Sequence, residues 1–148
     1  MTTDEESRRG PLPVFVYGTL RPGQGNHGRY LAGRTAAEEP AVLRGAVLYE
    51  GPGFPYAVEE PGGEVHGELV TLDPERWRTL LAALDALEDY VPGRARNHYV
   101  RVERPVVRGD GVTVRAWVYV AARPLARRLA ALGVRVPGGS WPTGREGR

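Results

Sequence analysis

The chain has 148 residues, 41% of them hydrophobic, which suits one domain with one core and excludes a disordered chain. It has no cysteine, so disulfides, thiolate chemistry and Cys-based zinc sites are excluded, as a reducing compartment would allow. The formal net charge is +2, every basic residue is Arg, and Arg and acidic residues are interspersed, which argues against a nucleic-acid-binding surface.

Residues 1–12 read as a flexible, polar lead-in with no apolar core of a secretory signal. No apolar run reaches the roughly 18–20 residues needed to span a bilayer, so a cytoplasmic protein is expected, with no membrane partner. Pro13 to Tyr17 is a short apolar, β-branched run that predicts a buried strand stopping at Gly18. Gly18 to Asn26 contains three Gly and a Pro and predicts a loop, with Asn26 placed to cap a short helix over His27–Leu31.

Ala41 to Tyr49 predicts a second strand, and Gly51-Pro52-Gly53 a turn. Phe54 to Val58 is extended, with Pro55 limiting it to an edge or a bulge. Glu60-Pro61-Gly62-Gly63 predicts another turn, and Val65 to Leu72 a strand with a bulge at Gly67. Asp73-Pro74 predicts a helix start, acidic cap followed by Pro, and the helix is expected to reach Glu88 or Asp89 before Val91-Pro92-Gly93. Tyr99–Val102 and Val112–Val120 predict a hairpin around Arg108-Gly109-Asp110-Gly111, and Pro124 to Leu132 a short helix. The compact domain is expected over residues 13–132, with 133–148 as a tail. Many short strands around one good helix predict an α+β domain on a curved or barrel-like sheet.

In the middle helix Trp77, Leu80, Leu81, Leu84 and Leu87 form one apolar stripe. At about 100° per residue, Glu88 falls about 20° from Trp77, near the centre of that stripe. Such a carboxylate faces inward, where desolvation raises its pKa toward a value useful for acid–base chemistry. The same spacing also accommodates a terminal Glu that frays into solvent or pairs with an Arg. The Tyr17-Gly18-Thr19-Leu20 turn offers successive backbone N–H groups that can hold a carboxylate or an oxyanion; an ordinary strand end is the alternative.

Both features occur in a known context. Val14 to Gly23 followed by Asn26-His27 resembles the opening signature of the γ-glutamylcyclotransferase-like family, in particular the γ-glutamylamine cyclotransferases. Phe54 to Val58 resembles the family's extended Tyr-Pro segment, and Val65 to Val70 its next strand. Leu84-Asp85-Ala86-Leu87-Glu88 resembles its Leu-Asp-x-x-Glu helix end. Tyr99-Val100-Arg101 and Ala116 to Val120 resemble its closing strands. The Arg-rich segment between Glu88 and Tyr99 is longer than in many members.

The resemblance implies a curved mixed sheet or small barrel with a central amphipathic helix and short flanking helices. It implies Glu88 as the proton-transfer residue and Tyr17, Gly18, Thr19 and Leu20 as the substrate loop. It implies release of 5-oxoproline from a small γ-glutamyl substrate by attack of the substrate's own amine, with no metal or organic cofactor. Tyr99 and Tyr119 are candidates for lining the pocket, or else strand aromatics of the core. Arg21 is a loop Arg that either meets a substrate carboxylate or is solvated. His27, His66 and His98 show no metal-ligand spacing and read as structural or surface groups. A binding module that keeps the pocket without catalysis is the competing functional reading.

Overall fold

The computed structural model describes residues 11–142. The first ten residues of the expected 1–12 lead-in and the last six of the expected tail, 143–148, lie outside the described residues. The described chain forms a closed five-stranded barrel with two α-helices outside it. The strands are β1 (Val14–Val16), β2 (Thr35–Glu50), β3 (Pro55–Leu72), β4 (Tyr99–Arg108) and β5 (Thr113–Ala121). Around the barrel the order is β1-β3-β2-β4-β5. Neighbours pair antiparallel except at the closing seam, where β1 runs parallel to β5 with Val14 opposite Trp117 and Phe15 opposite Val118. The expected α+β class and barrel-like sheet are both present.

Strand alternation divides the apolar residues into two cores. Phe15 and Tyr17 point to one side with Leu43, Leu48, Val65, Leu69, Val106 and Val118, which fill the barrel. Val14 and Val16 point to the other side, where α1 (Trp77–Leu87) lays Trp77, Leu80, Leu81 and Leu84 against them. The stripe read from the sequence is the face α1 buries. Complete burial of each such Leu contributes about 1.5–3 kcal/mol.

Several boundaries differ from the sequence reading. β2 begins at Thr35 rather than Ala41, because Thr35 to Pro40 pair with the far half of β3. β3 is one long strand rather than two, and Pro55 stands at its first position, where a ladder N–H is not needed. The bulge is not at Gly67, which pairs in register with Ala41. The register shifts instead between Thr35 and Ala37 and, more widely, between Arg44 and Ala46, where Gly45 on β2 and residues 60–63 on β3 step out of register. Gly45 (φ 80°) and Gly62 (φ 87°) supply the left-handed conformations this needs. Gly67 has a different reason: a Cβ there would come within 2.1 Å of the Val16 carbonyl oxygen. It lets β1 approach β3.

α1 starts at Trp77, not at Asp73. The Asp73 carboxylate accepts the Glu75 N–H at 2.9 Å, and its carbonyl accepts the Arg76 N–H at 3.0 Å. This local turn satisfies the backbone in a non-helical way, so the helix begins one turn late. Leu87 is the last helical residue and Glu88 is the C-cap. Asn26 stands at the N-cap position of the expected helix but makes no side-chain cap hydrogen bond; its amide donates to the Thr19 hydroxyl at 2.9 Å, and His27–Leu31 is a single π-helical turn. The second helix, α2 (Arg123–Leu132), falls within one residue of expectation. Beyond it, Val134 and Val136 exchange backbone hydrogen bonds with Glu50 and Leu48, and Val136 is buried in the barrel's core. No helix among the described residues is long and apolar enough to cross a membrane.

Candidate active site

β1 ends at the Tyr17–Leu20 turn, and α1 ends at Glu88. Both ends open on one cavity of about 380 Å³ that all seven sequence-selected residues line: Tyr17, Gly18, Thr19, Leu20, Glu88, Tyr99 and Tyr119. The turn closes with the Arg21 N–H donating to the Gly18 carbonyl at 3.0 Å. The N–H groups of Gly18, Thr19 and Leu20 have no acceptor among the described residues. Gly18 is small for a packing reason as well: a Cβ would lie 2.9 Å from the Pro55 ring. Asn26 braces the turn through Thr19, and Arg21 braces it from behind. The Arg21 guanidinium forms a two-point contact with Glu68 at 2.9 and 3.0 Å and donates to the Trp141 carbonyl at 2.8 Å. Arg21 is therefore an internal anchor, neither solvated nor aimed at a ligand carboxylate.

Glu88 is only partly exposed, and the bonds that end its helix aim it. The Tyr90 N–H donates to the Asp85 carbonyl at 2.8 Å, and the Asp89 N–H to the Ala86 carbonyl at 3.1 Å. This is a Schellman ending with Asp89 (φ 55°) in the left-handed position usually held by Gly. Among the described residues the Glu88 carboxyl makes no hydrogen bond and no ion pair. Desolvation by burial pushes it up from 4.5 to about 7. It is thus a carboxyl that changes charge near neutrality and has a free face toward the cavity.

Tyrosines surround it. Burial raises the pKa of Tyr17, Tyr56, Tyr99 and Tyr119, and the Glu88 charge raises each of them further. For Tyr119 the neighbouring Asp85 charge outweighs that of Glu88. All four are neutral phenols at ordinary pH. The Tyr17 hydroxyl donates to the Tyr119 carbonyl and accepts from the Ala57 N–H at 3.2 Å. The Tyr99 hydroxyl donates to the Pro55 carbonyl at 2.6 Å. The Tyr119 hydroxyl donates to Asp85 at 2.6 Å, and Asp85 is clamped by Arg101 at 2.9 and 3.2 Å. Arg101 in turn lies 4.2 Å over the Trp117 ring. Asp85, three residues before Glu88, thus holds the β5 wall of the cavity to α1.

Sequence reasoning did not select Phe54, Tyr56, Asp89 or His98 as site residues, yet all four line the cavity. Tyr56 and Phe54 were hidden because aromatics in an apolar strand look like core. His98 was read as structural or surface; it is exposed, at the cavity rim. The Arg-rich segment folds around buried Asn97, whose side chain bonds the Val91 N–H at 3.1 Å and carbonyl at 2.8 Å, and also receives Arg94. His27 pairs with Glu38 at 2.7 Å, away from the cavity lining. No group of three His, Cys, Asp or Glu that could hold a metal ion gathers among the described residues.

Comparison with known proteins gives this cavity its context. A model of the family described as γ-glutamyl cyclotransferase, AIG2-like, matches residues 14–143. A γ-L-glutamyl-butirosin B γ-glutamyl cyclotransferase from Niallia circulans is 36% identical over 111 residues, 74% of this chain and 67% of that protein. A putative γ-glutamylcyclotransferase from Drosophila melanogaster is 31% identical over 128 residues, covering 78% and 73%. Among solved structures, an AIG2-like protein from Mus musculus superposes with a TM-score of 0.60 at 27% identity, covering 76% of this chain and 78% of that one. An uncharacterised protein from Pyrococcus horikoshii gives 0.58 at 26% identity, covering 88% and 89%. With its barrel, its open turn after β1 and its acid at the end of α1, the chain belongs to the γ-glutamyl cyclotransferase, AIG2-like family.

Proposed function

We propose that this protein releases 5-oxoproline and an amine from a γ-glutamyl amide, with Glu88 moving the proton. The observation that carries the reading is the unpaired Glu88 carboxyl, raised to about 7, facing the same cavity as the unpaired N–H groups of Gly18–Leu20. The carboxylate removes a proton from the substrate's α-ammonium. The freed amine attacks the γ-carbonyl carbon, forming the ring C–N bond and a tetrahedral oxyanion. The turn N–H groups donate to the substrate's anionic oxygens, the developing oxyanion among them. The intermediate collapses: Glu88 returns its proton to the leaving nitrogen, the original amide C–N bond breaks, and the attacking nitrogen gives up its second proton through the freed Glu88 carboxylate to the released amine, which departs as an ammonium. Proton transfer of this kind contributes about 10²–10⁴-fold, and a pKa near the working pH suits both halves of the step. The remaining gain comes from holding the substrate folded for ring closure. The nucleophile belongs to the substrate, so the scheme calls on no protein nucleophile, metal or organic cofactor. A cytoplasmic setting is consistent with a cysteine-free chain.

The leaving group follows from the charges. Among the described residues no Arg lines the cavity, whereas Glu88 and Asp89 both do. A leaving group that carries a carboxylate finds no Arg there, only His98 at the rim beside the Glu88 and Asp89 carboxyls. An amine leaving group, neutral or positively charged, fits better. The name of the Niallia circulans relative places a γ-glutamyl group on a larger molecule, and a γ-glutamyl amide of that broad kind is the class proposed here.

The test is incubation with γ-glutamyl amides and γ-glutamyl amino acids, with 5-oxoproline measured by mass spectrometry. Release from at least one amide, abolished in Glu88→Gln, is expected. Substrate binding with no release from any member of the panel would replace the catalytic reading with a binding module.

A further inference from the structure

Four tyrosine hydroxyls feel the Glu88 charge, but three of them already donate their proton inside the chain. Tyr17 donates to the Tyr119 carbonyl, Tyr99 to the Pro55 carbonyl and Tyr119 to Asp85. Toward a ligand those oxygens offer lone pairs only. The exception is Tyr56. It lines the cavity, it is 7% exposed, and its hydroxyl makes no hydrogen bond among the described residues. The Tyr56 hydroxyl is not a sealed, unsatisfied atom: it is open to the cavity, so its proton is available to whatever binds there.

The ring is held rather than loose. Tyr56 sits in β3 opposite Tyr49. Its ring meets Phe54 edge-on at 5.4 Å between centroids and tilts 31° against Tyr99 at 4.9 Å. On the far side it presses on Gly51, where a Cβ would come within 2.8 Å of the ring. The backbone of Pro55, the residue before it, takes the Tyr99 hydroxyl, and the Pro55 ring touches Gly18. Tyr56 and the donor turn are therefore joined through one residue.

We propose that Tyr56 is a substrate-contacting residue whose hydroxyl donates a hydrogen bond to an oxygen of the bound γ-glutamyl group. It extends the N–H groups of Gly18–Leu20 with one side-chain donor, while Glu88 and the lone pairs of Tyr99 and Tyr119 face the substrate's N–H groups. This rests on the cyclotransferase reading for the identity of the ligand, though not for the existence of the contact.

The experiment compares Tyr56→Phe with Tyr99→Phe. A hydrogen bond to a charged or charge-developing oxygen corresponds to about 10- to 100-fold, so Tyr56→Phe lowers kcat/KM on a γ-glutamyl amide by about that factor. Because its hydroxyl has no partner in the chain, Tyr56→Phe leaves the melting temperature unchanged or raises it. Tyr99→Phe removes a donor from the Pro55 carbonyl and lowers the melting temperature. In parallel, binding of 5-oxoproline is titrated calorimetrically to the wild type and to Tyr56→Phe, and weaker binding to the variant is expected. Unchanged kcat/KM, or unchanged 5-oxoproline affinity, for Tyr56→Phe overturns the inference. So does a fall in melting temperature matching that of Tyr99→Phe, which would mark the hydroxyl as a structural group. If the wild type releases no 5-oxoproline from any amide, the catalytic reading fails, while the ligand titration still decides the role of Tyr56.

Discussion

Replacing Glu88 by Gln keeps the shape of the side chain and removes its charge, so it separates the cost of the charge from its use. Glu88 titrates near 7 in the folded protein against 4.5 for an ordinary Glu, and burial is the cause. Between those values the folded state holds a proton that the unfolded state has released. The relative stability this confers is fully present below about pH 4.5 and is lost as pH rises through about 7. A shift of that size corresponds to about 3 kcal/mol, and contact with cavity water reduces the expected effect to about 2. Urea denaturation of both proteins from about pH 4 to pH 9 therefore gives nearly equal stabilities at the acid end. Above about pH 8 the Gln variant is the more stable by about 2 kcal/mol. The wild-type kcat/KM, by contrast, rises through an acid limb near 7 as the base becomes available, and the Gln variant has negligible turnover. A stability difference that stays flat across the range, or an acid limb near an ordinary carboxylate value, would refute the placement of a desolvated acid at this position.

Three further outcomes follow from the packing. Gly67→Ala puts a methyl group against the Val16 carbonyl oxygen and lowers stability by about 2 kcal/mol or more in chemical denaturation, because β1 must shift. Arg101→Met leaves Asp85 part-buried without its clamp and costs about 3 kcal/mol; the same measurement shows it, together with reduced turnover as Tyr119 loses its fixed partner. Asp89→Gly relieves a left-handed non-glycine residue and raises stability by about 1 kcal/mol, visible as a higher melting temperature, since the exposed pair with Arg94 contributes little.

The helix phase placed Glu88 on the apolar side of its stripe but equally allowed a terminal Glu that frays or pairs; the Schellman ending at Asp85–Tyr90, which spacing does not show, is what separates the two. The strand and glycine pattern predicted the open turn after β1. What sequence could not supply was pairing at a distance. Thr35 to Pro40 carry little β signal of their own and are extended because β3 lies beside them. The interruption at Glu60–Gly63 read as a turn, but the long partner β2 runs past it and absorbs it as a bulge. Asp73 read as a cap because local chemistry favours it there, and that chemistry instead closed a turn before the helix. Arg21 and Tyr56 show the deeper difficulty. One is a polar residue that works as a brace, and the other is an aromatic with an unpaired hydroxyl. Only the identity of their neighbours separates these roles from the opposite ones.

The three residues of β1 join the barrel's two ends, since β5, their parallel neighbour, comes from far along the chain. Such a seam is among the last contacts a folding chain can make, because so much backbone must first be ordered between the partners. The donor turn hangs directly from that strand. A newly made chain that still lacks β5 can brace the turn through Asn26 and Glu68, but it leaves the Tyr17 hydroxyl without the Tyr119 carbonyl and the cavity without its Tyr119 wall, so the ability to grip a ligand is completed only with closure of the barrel. Loss of the seam would, by the same reasoning, silence the protein before its outer helix had melted.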